Sequence, residues 1–287
     1  MGEEGGASCR ADASWGVLSL LQIWVSCGPA PSPPQANSLS QSQVLLFHSA
    51  DGLRFEQQEA AIAQGFDSLG LVQDSDRVLV SGLDHRRQIP WYERYQSPAV
   101  DQLIWDGQSW SRERVAVAVD APALIDPQWQ GQALWYVARE GIGDPALGGV
   151  NRVMKGAELQ LEGAGLADPS PVLFQGRELL FTTRWGDGVV LWEGSPWTQQ
   201  AVWRQLTVPF ARLEASGEVL AVYAVGVVQG RRLPVRMESV DGVNFTQPEA
   251  LSLGPTPSSC TSPVLWSDAQ GHWLLCVNEV TPAAPGR

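Results

Sequence analysis

Lysine is almost missing from this chain of 287 residues: Lys155 is the single one, and arginine supplies nearly all the other positive charge. That bias reads as genome composition. The balance of charge decides more, with 19 lysines and arginines against 31 aspartates and glutamates and a net charge of −12. Phosphate backbones are held by clustered cations, so a nucleic acid is excluded as partner. Histidine is scarce as well, and His48, His85 and His272 make no zinc-ligand spacing. Cys260 and Cys276 are not spaced as metal ligands either, and neither a metal nor any other cofactor is expected. No apolar run is long enough to cross a bilayer comfortably. From Gln43 onward no segment shows a convincing amphipathic helical period.

With helices set aside, β-structure is what remains. Hydrophobic residues make up 44% of the chain, ample for a core, and 13 tryptophans suit both a packed β-core and a sugar-binding surface. A short word recurs as Asp51-Gly52-Leu53-Arg54-Phe55, Asp106-Gly107-Gln108-Ser109-Trp110, Lys155-Gly156-Ala157-Glu158-Leu159, Glu193-Gly194-Ser195-Pro196-Trp197 and Asp241-Gly242-Val243-Asn244-Phe245. Each copy is a polar residue, a glycine, two variable positions and a large apolar residue. Strand-like runs such as QVLLFHS, QLIW and VVLW precede three of them. The glycine supplies the positive φ of a tight hairpin turn. Copies stand roughly 40–55 residues apart, the period of a repeated supersecondary unit. Hairpins at that spacing predict a β-propeller.

A second repeat lies between the hairpins, at Phe66–Leu71, Val119–Leu124 and Asp168–Leu173, with weaker copies at Pro209–Leu213 and Thr261–Leu265. Small residues and an entering proline suit the innermost strand of a blade, crowded against the axis. Strands A to D then run from axis to rim; in blade three they fall at about 170–174, 178–184, 188–192 and 197–203. The last blade has an A strand near Ser262–Trp266 and a B strand near Trp273–Val277. Its other half stands at the opposite end of the chain, in Gln43–His48 and Leu53–Gln57. The expected fold is all-β: a five-bladed propeller of four-stranded antiparallel blades over residues 43–287, closed by N- and C-terminal strands that share one blade. Closure removes the exposed sheet edge. Cys260 and Cys276 lie almost symmetrically about the turn Ser267–Gly271, which leaves open a cross-strand disulfide or two buried thiols.

Ahead of this domain, Trp15–Ser26 is an apolar run that ends at Cys27. Val25-Ser26-Cys27-Gly28 is similar to a bacterial lipoprotein cleavage site, with Cys27 as the lipidated residue. Residues 28–42 are rich in proline, serine and glutamine, as a tether would be. The expectation is a monomer that is exported and held at the cell envelope by lipid on Cys27, or secreted. The bland alternative for residues 1–27 is a hydrophobic N-terminal helix.

Propeller topology sorts the connections. The A–B and C–D turns share one face and read as tight, whereas the B–C and D–A connections share the other and read as long. The first B–C loop, Leu83–Pro98, carries His85, Arg86, Trp91 and Tyr95; the second carries Glu140 and the third Trp185. These are candidate substrate contacts, since decorated loops on a rigid scaffold bind and flat rings suit sugars. The D–A connections bring Asp67, Asp120 and Asp168 to three successive inner strands. Converging carboxylates can serve as the acid and base of glycoside hydrolysis. An aspartate before a strand can equally well cap the entering turn.

Five blades, end-to-end closure and Asp-Pro inner strands resemble the arabinanase and β-fructosidase type of propeller, glycoside hydrolase families 43 and 32, over about residues 43–280. The resemblance implies a base aspartate, a modulating aspartate and an acid glutamate on the first three inner strands. Asp67 and Asp120 match the first two; where the glutamate is expected the chain has Ala167-Asp168-Pro169. Ser49–Phe55 and Ser239–Phe245 are similar to sialidase Asp-box turns, one residue short, and such turns speak for fold alone. The resemblance implies a glycosidase-like protein acting on a poly- or oligosaccharide, the alternative being a surface propeller that binds a glycan or protein without catalysis.

Overall fold

The computed structural model describes residues 41–58, 61–74, 77–84, 99–106, 109–116, 124–139 and 150–280, and every regular element among them is a β-strand. Strands β1 (Gln41–Ser49), β2 (Arg54–Gln57) and β3 (Ala63–Gln64) come first. Blade one follows as β4 (Phe66–Asp74), β5 (Arg77–Asp84), β6 (Ala99–Trp105) and β7 (Trp110–Ala116). Blade two is β8 (Leu124–Gln130), β9 (Ala133–Arg139), β10 (Val150–Lys155) and β11 (Glu158–Ala164). Blade three is β12 (Leu166–Phe174), β13 (Arg177–Arg184), β14 (Gly188–Glu193) and β15 (Thr198–Trp203). Blade four is β16 (Thr207–Leu213), β17 (Leu220–Val228), β18 (Arg231–Ser239) and β19 (Glu249–Ala250). The chain ends on β20 (Ser252–Gly254), β21 (Thr261–Asp268) and β22 (Gly271–Val280).

Four sheets are antiparallel meanders in chain order, and the fifth is shared between the two ends of the domain. In that closing blade β21 is innermost, followed by β22, β1 and β2. The β1–β22 ladder runs unbroken from Gln41↔Val280 to Ser49↔His272, so the closure is a full strand pair. Inner strands β4, β8, β12, β16 and β21 pack in turn around the axis. The protein is a five-bladed β-propeller.

Two small strands extend the expected plan. β20 adds to β2 in parallel, Arg54↔Ser252 to Glu56↔Gly254, and β3 pairs with β1. β20 covers the rim edge that β2 would otherwise leave open. The B–C connections also depart from expectation. Blade three makes its own with Trp185–Asp187, and blade four with Gln229-Gly230 alone. Both of the latter residues have positive φ, 51° and 77°, the geometry of a two-residue primed hairpin. The corresponding connections of blades one and two lie outside the described residues.

Apolar side chains bury between neighbouring blades. One cluster joins the closing blade to blades one and four, a second joins blades three and four, and a third centres on blades two and three. Phe47, Phe66, Phe174 and Phe181 are wholly buried, each worth roughly 1.5–3 kcal/mol against exposure. Trp266 stacks on Trp273 at 5.9 Å and meets Trp110 of blade one edge-on at 6.2 Å. Cys260 and Cys276 form a disulfide with a Cα–Cα separation of 5.2 Å, tying the lead-in of β21 to β22.

Candidate functional site

All five inner strands break register near their first residues. The ladder slips between Asp67 and Gly70, Ile125 and Gln128, Ala167 and Ser170, Thr207 and Phe210, and Thr261 and Val264. At each slip one residue is left-handed: Ser68 (φ 52°), Asp126 (50°), Asp168 (49°), Val208 (51°) and Ser262 (48°). Blades two to five place a proline next, Pro127, Pro169, Pro209 and Pro263. A bulge leaves one residue without a ladder partner, and proline has no N–H to lose there. Aspartate tolerates the left-handed region well, whereas β-branched Val208 is strained in it. Because every blade has the bulge, the bulge itself is architectural. The side chain it presents is where the blades differ.

Hydrogen bonds tie these inner strands to the neighbouring blade. The Asp168 N–H donates to Asp126 Oδ2 at 3.1 Å. Val208 N–H donates to Thr183 Oγ1 at 2.7 Å, and Ala211 N–H to Ser170 Oγ at 2.8 Å. The Ser81 hydroxyl donates to the Pro127 carbonyl at 3.1 Å. Gly70 makes that approach possible, because a Cβ there would sit 2.3 Å from the Pro127 oxygen. Ser68, Asp126, Asp168 and Val208 line an axial cavity of about 20 Å³, room for a water or two and not for a sugar ring. A glycan could only lie across the mouth.

Asp168 occupies the bulge of blade three, at the end where Leu166 pairs with Arg184. Trp185 follows directly on that end; it is 40% exposed, and its backbone N–H donates to the Gly165 carbonyl at 2.9 Å. Arg184 and Asp187 close the same turn with an ion pair of 2.5 Å. The structure thus brings Asp168 and Trp185 to one end of blade three. Asp67 lies in β4 opposite Leu83, one position before the bulge residue, and its side chain is outside the described residues. Asp120, His85, Arg86, Trp91, Tyr95, Glu140 and Cys27 also lie outside them.

One residue escaped the sequence reading. Register aligns Ile125-Asp126-Pro127 of blade two with Ala167-Asp168-Pro169 of blade three, while the word Val119–Leu124 lies outside the described residues but for Leu124. Asp126 is therefore the blade-two counterpart of Asp168. The shared Asp-Pro dipeptide was a usable signal, joined by Val208-Pro209 and Ser262-Pro263. Among the described residues no group of three or more histidines, cysteines or carboxylates gathers as a metal site.

No protein-family model matches the sequence, and comparison with curated proteins finds no match. Solved structures do resemble it. The α-L-arabinanase of Cellvibrio cellulosa superposes with a TM-score of 0.55 at 11% identity, covering 76% of this chain and 90% of that one. The same arabinanase complexed with arabinohexaose gives 0.53 at 10% identity, covering 75% and 87%. The catalytic domain of a Coprinopsis cinerea GH62 α-L-arabinofuranosidase gives 0.49 at 10% identity, covering 85% and 93%. At such identities the likeness is one of fold, and the fold this chain shares with the arabinanases is the five-bladed β-propeller.

Proposed function

We propose that the protein is an exported, carbohydrate-active propeller that takes a poly- or oligosaccharide at the end where the inner strands begin, with Asp67, Asp168 and a blade-two aspartate, Asp120 or the register counterpart Asp126, as the carboxylates of a glycosidase-like reaction. The observation that carries this reading is Asp168 beside Asp126 at the mouth of the axial cavity. The fold is that of an arabinanase solved with arabinohexaose, which supports a carbohydrate as partner. One carboxyl group would pass its proton to the glycosidic oxygen as the C–O bond breaks. A second, ionised, would either take a proton from the attacking water or attack the sugar carbon itself. The exposed indole of Trp185 offers a stacking face beside the mouth. His85, Arg86, Trp91, Tyr95 and Glu140 would complete the contacts.

Asp67→Asn, Asp120→Asn and Asp168→Asn, each assayed on arabinan, xylan and levan, test the reading. Loss of at least about 100-fold in hydrolysis with an unchanged melting temperature is expected. A parent protein that hydrolyses none of the three would end the enzymatic reading. A second reading, glycan or protein binding without catalysis, draws on the Asp126 carboxylate, which accepts a backbone N–H as a strut between blades would. Retention on a polysaccharide affinity gel without hydrolysis would select it. For export, Cys27 is proposed as the lipid-bearing first residue of the mature protein. Intact-mass measurement on membrane-extracted protein decides this, and a soluble product that keeps residues 1–26 counts against it.

A further inference from the structure

The opposite end of the ring, where the A–B and C–D turns lie, holds a groove that the proposed site does not use. It lies between blades two and three, with a volume of about 550 Å³, inside the ~300–1,000 Å³ range of small-ligand sites. Trp135 of β9 and Trp197 ahead of β15 are its aromatic walls, their ring centroids 6.2 Å apart and their planes inclined at 75°. Gln130, Gln132, Lys155 and Glu178 set polar groups among them. The groove is separate from the axial carboxylates: β12 carries Asp168 near its start and reaches the groove at Pro171, about 10 Å further on at ~3.3 Å per residue.

Three features mark a formed site. The Trp197 indole N–H donates to Gln160 Oε1 at 3.3 Å, which holds the ring in place before any ligand arrives. The chain's single lysine stands here, with the Lys155 ammonium 5.4 Å from the centre of the Trp135 ring. Trp135 is only 3% exposed, and its indole N–H has no hydrogen-bond partner among the described residues.

We propose that this groove binds a neutral oligosaccharide. One lysine and one glutamate leave the lining without net charge, which fits a neutral ligand on a protein whose overall charge is −12. The half-buried Trp197 indole offers a face to the C–H face of a sugar ring, and the two glutamine amides both donate to and accept from hydroxyls. The ligand class rests on the carbohydrate reading above, but the site does not depend on catalysis at the other end.

Because Lys155 is unique, reductive ¹³C-methylation of the intact protein labels that side chain and the chain's α-amino group alone. The Lys155 methyl signal is followed by NMR during titration with arabinohexaose, xylohexaose and cellohexaose. A saturable shift with at least one sugar is expected, weakened about tenfold in Trp197→Ala and in the exposed-site variant Gln132→Ala, and unchanged in Trp185→Ala. No shift with any of the three sugars overturns the proposal, as does a shift that survives both groove variants. A shift abolished by Trp185→Ala alone places the sugar at the other end and also overturns it, while sparing the carbohydrate reading. A groove shift in a protein without hydrolytic activity upholds the groove and sinks catalysis. Sugar-independent dimerisation that moves the signal on dilution overturns it in favour of a second copy.

Discussion

Asp51 concentrates three hydrogen bonds on one oxygen. Its Oδ1 accepts the backbone N–H groups of Arg54 and Leu53 and the Ser49 hydroxyl, each at 2.9 Å. Those donors, Arg54 N–H first, hold the carboxyl down at about 2. Asp241 repeats the arrangement and adds the Asn244 side-chain amide, its largest influence, which also leaves it below the usual carboxylate range. Gly242 completes the turn at φ 70°, where a Cβ would come within 2.5 Å of Arg177 Nη2. The sign of the pH effect follows from the direction of the shift. A folded-state pKa lowered from about 3.9 contributes stability that is present above that value and is lost as pH falls toward the folded one. Melting temperature should therefore hold as pH drops to about 5 and then decline between about 4 and 2 from these turns. Thermal melts across that range should show a shallower acid limb in Asp241→Ala than in the parent. An identical limb would remove Asp241 from the acid response.

At the scale of the strand, a bulge recurs at the axis in every blade. In blades three and four, backbone donors at the crowded axis find their acceptors on the preceding blade. Ser170, 1% exposed, is the clearest case, because its Oγ is the acceptor given to Ala211 N–H. Ser170→Ala leaves that buried donor unmet and should lower stability by about 1–3 kcal/mol. The denaturant midpoint should fall while the slope stays constant; an unmoved midpoint would show that the bond carries no net stability. Strand positions were legible because alternation, turn glycines and prolines are local. β12 to β15 stand within a few residues of where blade three was expected, with β12 starting earlier than its proline. Bulge phase was misread in blade two. The words at 121–124 and 125–128 both bear a proline; the Asp-Pro of the second was the signal in the sequence, and the cross-strand register Gln128↔Trp135 decides for it.

Over the whole molecule, β1 and β2 complete the ring that β22 begins. A chain lacking residues 41–57 should lose its cooperative thermal transition, because the β22 edge and the core face around Trp266 would be left open. A sharp melt at the parental temperature would mean that closure adds nothing. The Cys260–Cys276 bond acts in the same blade. It closes a short hairpin loop, which limits its effect on the unfolded chain relative to a bond between distant segments.

Composition, periodicity and turn chemistry determined the all-β class, the hairpin repeat and the pairing of the two ends in one blade. Each of these is written in neighbours along the chain, where a glycine, a proline or an alternating residue acts on its own backbone. Tertiary structure alone decided which aspartates meet. Asp126 and Asp168 are 42 residues apart and are brought together by the packing of two blades. The groove of Trp135, Lys155 and Trp197 likewise draws on three separate turns or strands across two blades. Such encounters depend on register and on the angle between sheets, which arise from the summed packing of the ring and leave no mark on any single stretch of sequence.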